Sequence, residues 1–315
     1  RTVEALDGAD GYALLELEAA VQLREAGISK PLLLIEGFFG TDELHVFSAC
    51  GLTGVVHDLE QVRALESVRL PKPIDVYLKV NTGMNRLGFA VEDARRVLAR
   101  LRQCTSANSI TLMTHFADAD GVVGVAQQMR RLAVAGIGEL PQSLANSAAL
   151  LRYPETRADW VRPGIMLYGC SPFPDETARA IGLEPAMTLK SRLVAVQTLR
   201  SGDQAGYGGT FTARDPMRIG IVACGYADGY PRHAPGFADR GTPILVAGRR
   251  TRTVGRVSMD MMFVDLGPVP EATLGTEVTL WGDGLSADEV AAAAGTVSYE
   301  LLCALAERVP IIEAR

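Results

Sequence analysis

The sequence lacks the patterns that mark zinc-binding, disulfide-rich, membrane and nucleic-acid-binding proteins. No Cys-x-x-Cys pair occurs, and no apolar run reaches the ~20 residues of a membrane-spanning helix. The net charge is −6 and no block of Lys and Arg stands out, so we expect no nucleic acid and no membrane as partners. The cysteines are odd in number and scattered, which favours a reducing, cytoplasmic location: Cys50, Cys104, Cys170, Cys224 and Cys303.

The length of 315 residues indicates two domains, or one barrel with an addition. Hydrophobic residues make up 48% of the chain and charged residues 22%, which is ordinary for a soluble globular protein with a large core. No signal peptide is visible at the N-terminus, in keeping with the cytoplasmic expectation.

The first half alternates apolar strands with amphipathic helices, a pattern that predicts βαβ units and a parallel sheet. A closed (β/α)8 barrel needs eight strands, and the pattern predicts seven. The chain opens on a segment typical of the end of a helix, so we expect a (β/α)8 TIM-type barrel whose first strand is missing. The predicted strands are Gly11–Leu15, Pro31–Glu36, Leu52–His57, Ile74–Val80, Ile110–Phe116, Ser143–Ala145 and Trp160–Tyr168.

Beyond about residue 185 the pattern changes to strands separated by tight turns, with one short helix over Ser286–Ala294. The sequence therefore predicts a barrel domain over residues 1–180 and a mostly β domain over residues 181–315. The predicted strands of the second domain are Met187–Leu199, Met217–Cys224, Pro243–Val246, Arg252–Val257, Met261–Leu266 and Glu277–Trp281.

Polar side chains stand at the ends of the predicted barrel strands, where a (β/α)8 barrel binds its ligand. Arg162 is the most unusual, because it lies in an apolar segment beside Pro163 and Gly164 and cannot give up its charge at ordinary pH. The others in the first domain are Lys79, Arg86, His115, Asn146 and Ser147. Three glycine-flanked or polar clusters stand out in the second domain, around Tyr207, around Tyr226 and over residues 255–260.

Taken one at a time, each of these positions has an ordinary structural interpretation. Lys79 and Arg86 fit solvated strand ends, His115 a core histidine, and Asn146-Ser147 a helix cap. Tyr207 and Tyr226 fit turn aromatics. Arg162 fits a structural ion pair, Tyr299 a core position, and residues 258–260 a strand edge. Only their joint occurrence, in order along the chain, favours one site.

These positions lie within motifs that resemble alanine racemase over essentially the whole chain. Eight motifs occur in order, which makes the resemblance specific. They are KVNTGMNRLGF (79–89), THFADAD (114–120), ANSAA (145–149), WVRPGIMLYG (160–169), GYG (206–208), GYADGYPR (225–232), VGRVSMD (254–260) and YELL (299–302).

The resemblance implies a pyridoxal 5'-phosphate (PLP) enzyme that interconverts L- and D-alanine through an aldimine of PLP. Racemisation needs two bases on opposite faces of the substrate, and the resemblance assigns these roles to Tyr207 and to the lysine that carries the cofactor. It implies that His115 hydrogen-bonds Tyr207 and meets Arg162, and that Arg162 contacts the pyridine nitrogen. A guanidinium can only donate, so that nitrogen would stay neutral.

The resemblance also implies the binding groups. Gly164, Ile165, Ser147 and Tyr299 would hold the phosphate, with Asn146 beside them. Arg86 would contact the phenolic oxygen of the cofactor and the substrate carboxylate, and Lys79, as a candidate carbamate, would orient it. The Met259 amide would bind the substrate carboxylate, while Asp260 and Tyr226 would line the entrance. No metal is implied.

The sequence departs from the family pattern at two places. Ser258 stands where many relatives have Cys, which bears only on fine specificity. The cofactor lysine and the first strand have no counterpart among these residues. None of the lysines, Lys30, Lys72, Lys79 and Lys190, follows a first strand.

Two alternatives therefore stay open beside alanine racemase: a broad-specificity amino-acid racemase, and a catalytically dead PLP-barrel protein. A PLP decarboxylase of similar architecture is disfavoured by Arg162 and by the motif around Tyr207.

Three further expectations follow from the resemblance. We expect a homodimer arranged head to tail, with active sites at the interface, because Tyr207, Met259 and Asp260 lie in the second domain. We expect alanine as the small-molecule substrate. The role would be D-alanine biosynthesis for peptidoglycan, although alanine breakdown uses the same chemistry.

Overall fold

The computed structural model describes residues 1–237 and 240–313. The chain divides into two compact units, residues 1–164 and the residues from 165 onward. The described part contains no helix that is both long and apolar enough to cross a membrane.

The first unit is built on a six-stranded parallel sheet whose strands follow one another in chain order. The strands are β1 (Tyr12–Leu14), β2 (Leu32–Leu34), β3 (Thr53–Val56), β4 (Ile74–Lys79), β5 (Ala107–Met113) and β6 (Gln142–Ser143). The helices are α1 (Thr2–Ala5), α2 (Leu17–Glu25), α3 (Thr41–Cys50), α4 (Leu59–Ser67), α5 (Ala94–Gln103), α6 (Ala126–Ala135) and α7 (Ser147–Arg152). Parallel strands in sequential order with helical crossovers are the arrangement of a βα-barrel, as the sequence predicts.

The seventh predicted strand, Trp160–Tyr168, is only partly present. Trp160 forms a parallel bridge with the end of β6, and the Arg162 N–H donates to a carbonyl that follows β6. Pro163 has no N–H with which to continue the ladder, and Ile165–Tyr168 forms a 3-10 helix. The prediction of a strand is therefore wrong beyond Arg162.

Both faces of the sheet are covered along β2 and β3, as the near-continuous apolar strands predict. Every residue of β2 and of β3 is buried. One face carries a cluster with one side chain from each of β2 to β5, with Trp160 packed against it: Leu33, Val55, Tyr77 and Met113. The strand ends are thereby held on a packed core.

The second unit contains a closed antiparallel barrel and a small two-stranded hairpin. The strands are β7 (Leu189–Leu199), β8 (Gln204–Ala205), β9 (Phe211–Thr212), β10 (Met217–Val222), β11 (Pro243–Val246), β12 (Arg249–Val254), β13 (Met262–Asp265) and β14 (Glu277–Trp281). The strand order in the barrel is β10-β13-β12-β11-β14-β7, and β8 pairs with β9 in the hairpin. The helices are α8 (Ala287–Ala294) and α9 (Ser298–Cys303).

The helix predicted over Ser286–Ala294 is confirmed together with both of its ends. The Ser286 side chain accepts from the Glu289 N–H, and Gly295 ends the helix in the left-handed conformation. Trp281 and Tyr230 are buried in the core of this unit, with their rings stacked at 6.0 Å. The mostly β character of the second domain is thus confirmed.

Candidate active site

Side chains from successive strand ends meet at one edge of the parallel sheet. Lys79 is the last residue of β4, and His115 follows β5. Asn146 and Ser147 come after β6, and Arg162 follows the bridge at Trp160. Because the strands are parallel, their carboxyl ends lie on the same side, and the first unit places these predicted residues there together.

Arg162 is held by neutral groups alone. Its Nη1 donates to Ser143 Oγ at 2.6 Å, and its Nη2 donates to the carbonyl oxygens of Thr114 at 2.7 Å and Leu144 at 3.3 Å. Among the residues that the structure describes, no carboxylate pairs with Arg162. The structural ion pair that the sequence also allows is therefore absent, and the guanidinium keeps N–H groups beyond the three that these contacts use.

The site carries positive charge that is not neutralised. The pKa of Lys79 is lowered to about 8, first by burial and then by the charges of Arg86 and Arg162, while Glu36 acts in the opposite direction. Burial likewise lowers the pKa of Arg162 to about 10. Closely spaced cations in a partly dry site are costly unless anions join them, so this edge of the sheet is suited to anionic ligands.

His115 is neutral at ordinary pH. Burial, followed by the charges of Arg162, Arg86 and Lys79, lowers its pKa to about 4. Within the described chain its ring has no hydrogen-bond partner. A neutral imidazole has one N–H to donate and one nitrogen to accept, so His115 can orient or tune a group that binds next to it.

Arg86 lies in a tight loop after β4 and is exposed. The loop is shaped by Asn81, whose Oδ1 accepts from the amides of Gly83 and Asn85, both at 3.0 Å. Asn85 has a positive φ of 56°, which asparagine tolerates better than most residues. The loop and the end of β5 form a small cleft, lined in part by Lys79, Arg86, Thr114 and His115.

Ser147 and Gly164 are brought together, as a shared phosphate site requires. The Gly164 N–H donates to Ser147 Oγ at 2.8 Å, and Ser147 is buried. A Cβ placed on Gly164 would meet nothing within 4 Å, so there is open space beside the chain. The Asn146 side chain caps α7 by accepting from the Ala149 N–H at 3.0 Å, which is the structural role that the sequence also allows.

The other predicted residues lie in the second unit. Tyr207 is 71% exposed in a glycine-rich turn between β8 and β9, and Ile165 is buried in the core of the unit. Tyr299, in α9, is half exposed. The catalytic and binding roles of all the predicted residues remain predictions.

Tyr226, Met259 and Asp260 are brought close together by two loops in backbone contact. The Tyr226 N–H donates to the Ser258 carbonyl at 3.1 Å, and the Ala227 N–H to that of Met259 at 2.9 Å. A side chain at Gly225 would collide with the second loop, so the close approach depends on glycine.

Several residues that bind the predicted ones, in the first unit and in the second, were not identified from the sequence. Ser143 and the carbonyl of Thr114 hold Arg162. Arg308 donates from Nε to Asp228 at 2.8 Å and from Nη2 to Asp260 at 2.6 Å. Ser143 is the one polar residue of the predicted strand Ser143–Ala145, which is a usable signal. No local pattern marks Arg308, whose partners lie 80 and 48 residues away.

Comparisons with known proteins show the family of this chain. The sequence profile of the alanine racemase N-terminal domain matches residues 1–172, and that of the C-terminal domain matches residues 186–313. An alanine racemase of Nitrosomonas eutropha is 57% identical over 99% of this chain and 87% of its own length. A catabolic alanine racemase of Klebsiella aerogenes is 53% identical over 99% of this chain and 87% of its own length.

A solved structure shows the same fold. The biosynthetic alanine racemase of Pseudomonas aeruginosa superposes with a TM-score of 0.93 at 46% identity, over 98% of this chain and 86% of that one. The profiles together match most of the chain, and the relatives match nearly all of it. The chain belongs to the alanine racemase family.

Proposed function

We propose that this chain interconverts L- and D-alanine with PLP held against Arg162. Members of the family are PLP-dependent isomerases. The observation that carries the proposal is the environment of Arg162, a partly buried guanidinium that, among the described residues, is bound only by carbonyl and hydroxyl oxygens at the strand ends. A donor-only group in that position suits a ring nitrogen that accepts a hydrogen bond.

The residues present fit the cofactor. Ser147 Oγ accepts from the Gly164 N–H, so its own hydrogen is left to donate to a phosphate oxygen. A phosphate at this place would compete with Ser147 for the Gly164 amide. The Ile165 amide and Tyr299 would complete the phosphate contacts, and Asn146 would hold the segment by capping α7.

When bound, PLP supplies the electron sink that makes the α-proton of alanine acidic enough to remove. Tyr207 is our candidate for the base on one face of the substrate, and its exposure suits a group that must reach a ligand. His115, uncharged at neutral pH, would donate a hydrogen bond to the oxygen of this tyrosine and so orient it toward the substrate.

The substrate carboxylate is an anion and needs a cation or a backbone N–H. Arg86 is exposed in its loop and has no ion-pair partner among the described residues, so it is the candidate for this contact. The Met259 amide would provide a second donor. Tyr226 and Asp260 lie beside it and would line the entrance.

Lys79 is our candidate for carbamylation. Only a neutral amine reacts with CO2, and the pKa of about 8 gives Lys79 a larger neutral fraction near pH 7 than an ordinary lysine has. The product is an anion between Arg86 and Arg162, which would relieve their repulsion.

If Lys79 is carbamylated, the protein should show a carbamate carbonyl signal in 13C NMR after equilibration with 13C-labelled bicarbonate. The signal should be absent from Lys79→Met and present in Lys72→Met, which alters another lysine of the same unit. A signal of equal intensity in Lys79→Met would contradict the assignment.

The resemblance to alanine racemase also suggests an assembly and a cellular role for this chain. We propose a head-to-tail homodimer in the cytoplasm that supplies D-alanine for peptidoglycan. All cysteines of the chain are free, in keeping with a reducing compartment. Restored growth of a D-alanine auxotroph by this gene, without added D-alanine, would support the biosynthetic role, and no growth would oppose it.

The function is tested by following L-alanine with the native protein saturated with PLP. We expect D-alanine to form until the enantiomers are equal, and borohydride to trap PLP on the protein. Serine and other small amino acids, tried under the same conditions, test the broad-specificity alternative. No turnover and no trapped PLP would support the catalytically dead alternative.

A further inference from the structure

Gln128, in α6, is a buried amide that bridges two loops of the site. Its Oε1 accepts from the Ala117 N–H at 2.7 Å, and its Nε2 donates to the carbonyl oxygen of His115 at 3.0 Å and to Thr82 Oγ1 at 2.9 Å. A backbone N–H can only donate and a carbonyl oxygen can only accept. The orientation of the amide is therefore dictated by its two backbone partners.

The amide is one end of a chain of hydrogen bonds whose direction is also fixed. Thr114 Oγ1 has one hydrogen, and it donates this to the carbonyl oxygen of Val80 at 2.9 Å. In the 2.8 Å contact between the two hydroxyls, Thr82 Oγ1 is therefore the donor, while it accepts from Gln128. Gln128, Thr82 and Thr114 are all buried, so a break in this chain would leave a polar group unsatisfied.

The chain of hydrogen bonds ties together the parts that carry the candidate catalytic groups. Gln128 binds the backbone carbonyl of His115 and the backbone N–H of Ala117, so it holds the chain on either side of the residue between them. Thr82 lies in the loop that leads to Arg86, and the carbonyl of Thr114 accepts from Arg162. Gln128 touches none of the groups that would contact alanine or PLP, so any effect it has on the reaction passes through these partners.

We propose that Gln128 is a positioning residue that fixes His115 and couples it to the Thr82–Arg86 loop. This inference rests on the proposed racemase function. A position error of about 1 Å at a reacting group can cost as much as ~100-fold in rate, so a remote amide is able to control turnover. A purely structural role would instead lower stability and leave the rate per active site unchanged.

Two substitutions separate these roles. Gln128→Met keeps the length of the side chain and removes the amide, whereas Gln128→Glu keeps the acceptor for Ala117 and removes the donor to His115. Gln127→Met and Gln127→Glu are matched controls, because Gln127 is the exposed neighbour on the same helix. Thr82→Val removes the hydroxyl, and Thr82→Ser keeps it.

We expect kcat per bound PLP to fall roughly tenfold or more in both Gln128 variants, with KM for alanine changing less than about threefold. Thr82→Val should lower kcat, and Thr82→Ser and both Gln127 variants should keep the wild-type value. A wild-type kcat in folded Gln128 variants would overturn the proposal. A loss confined to KM would also overturn it, because it would place the effect on Arg86 rather than on His115.

Two readouts need no turnover. Hydrogen exchange of the Ala117 amide should accelerate by at least about tenfold in Gln128→Met, where its acceptor is gone, and stay slow in Gln128→Glu. The ring nitrogen signals of His115 should shift in both variants and in neither control. Unchanged exchange and unchanged signals would contradict the proposal even for a protein that racemises alanine. Failure of the wild-type protein to turn over would count against the proposed function alone.

Discussion

At the scale of the residue, the site is defined by positive charge that no carboxylate of the described residues neutralises through an ion pair. Arg162 is bound by oxygens that carry no formal charge, and His115 is kept neutral beside it. The sequence identifies both positions because each follows an apolar strand. It does not identify Gln128, because Gln127 and Gln128 are neighbours of identical type and only the fold buries one of them.

The low pKa of His115 predicts a specific dependence of stability on pH. The unfolded chain binds a proton on this histidine near its ordinary pKa of 6.5, whereas the folded chain resists it down to about pH 4. Lowering the pH from 6.5 toward 4 therefore favours the unfolded state, and the contribution is fully present above 6.5. In His115→Gln the free energy of unfolding should fall less between pH 7 and pH 5 than in the wild type.

Urea unfolding at the two pH values measures this difference. His45→Gln, at an exposed position on α3, is the control and should keep the wild-type fall. An equal fall in His115→Gln and in the wild type would show that the folded state does not hold this histidine neutral.

At the scale of the element, apolar pattern predicts the strands well where the backbone can pair and poorly where it cannot. The predicted strands Pro243–Val246 and Glu277–Trp281 coincide with β11 and β14. The run Trp160–Tyr168 is equally apolar, yet pairing stops at Pro163. Helix ends show the same limit: Thr41 is of a residue type that favours the N-cap, but the cap of α3 is Gly40, and the side chain of Glu43 accepts from the preceding Phe39 N–H.

Gly37 lies in a crowded turn after β2, where a larger residue should lower the stability of the fold. Its φ is +80°, and a Cβ there would collide with the carbonyl oxygen of Val55. Gly27 has a similar φ of +88°, but a Cβ there would meet nothing within 4 Å. Gly27→Ala should cost about 1 kcal/mol of backbone strain, and Gly37→Ala about 2 kcal/mol more than that.

Urea unfolding followed by circular dichroism compares the two glycine variants under one set of conditions. Equal losses would mean that the turn after β2 relaxes to accept a side chain, so that steric contact with Val55 does not control it.

At the scale of the whole molecule, the chain joins a parallel βα unit to a closed antiparallel barrel. The change of pattern along the sequence predicts the parallel unit and the mostly β character of the second unit, but not the closure of its sheet into a barrel. Many independent motifs in order predict the fold class and the family, and the comparisons confirm both. The division of one active site between two chains is a different kind of claim. No local pattern encodes it, so it depends on the resemblance.

Mixing two inactive variants tests whether sites are shared between protomers. Arg86→Met alters the first unit and Tyr207→Phe the second. If each site combines these units from different chains, random exchange of protomers should restore about one quarter of the wild-type activity, because half of the dimers are mixed and each has one intact site. No recovery from demonstrably mixed dimers would contradict a shared site, as would a fully active monomer in sedimentation.

The central claim is that two separate bases work on opposite faces of alanine and that Tyr207 is one of them. It is tested most directly by incubating each alanine enantiomer with wild-type and Tyr207→Phe protein in D2O and following the α-hydrogen by NMR. The wild type should exchange the α-hydrogen of both enantiomers and racemise them, whereas Tyr207→Phe should racemise neither and exchange the α-hydrogen of one enantiomer only. Exchange of both enantiomers by Tyr207→Phe at wild-type rates, or an equal loss for both, would contradict the assignment.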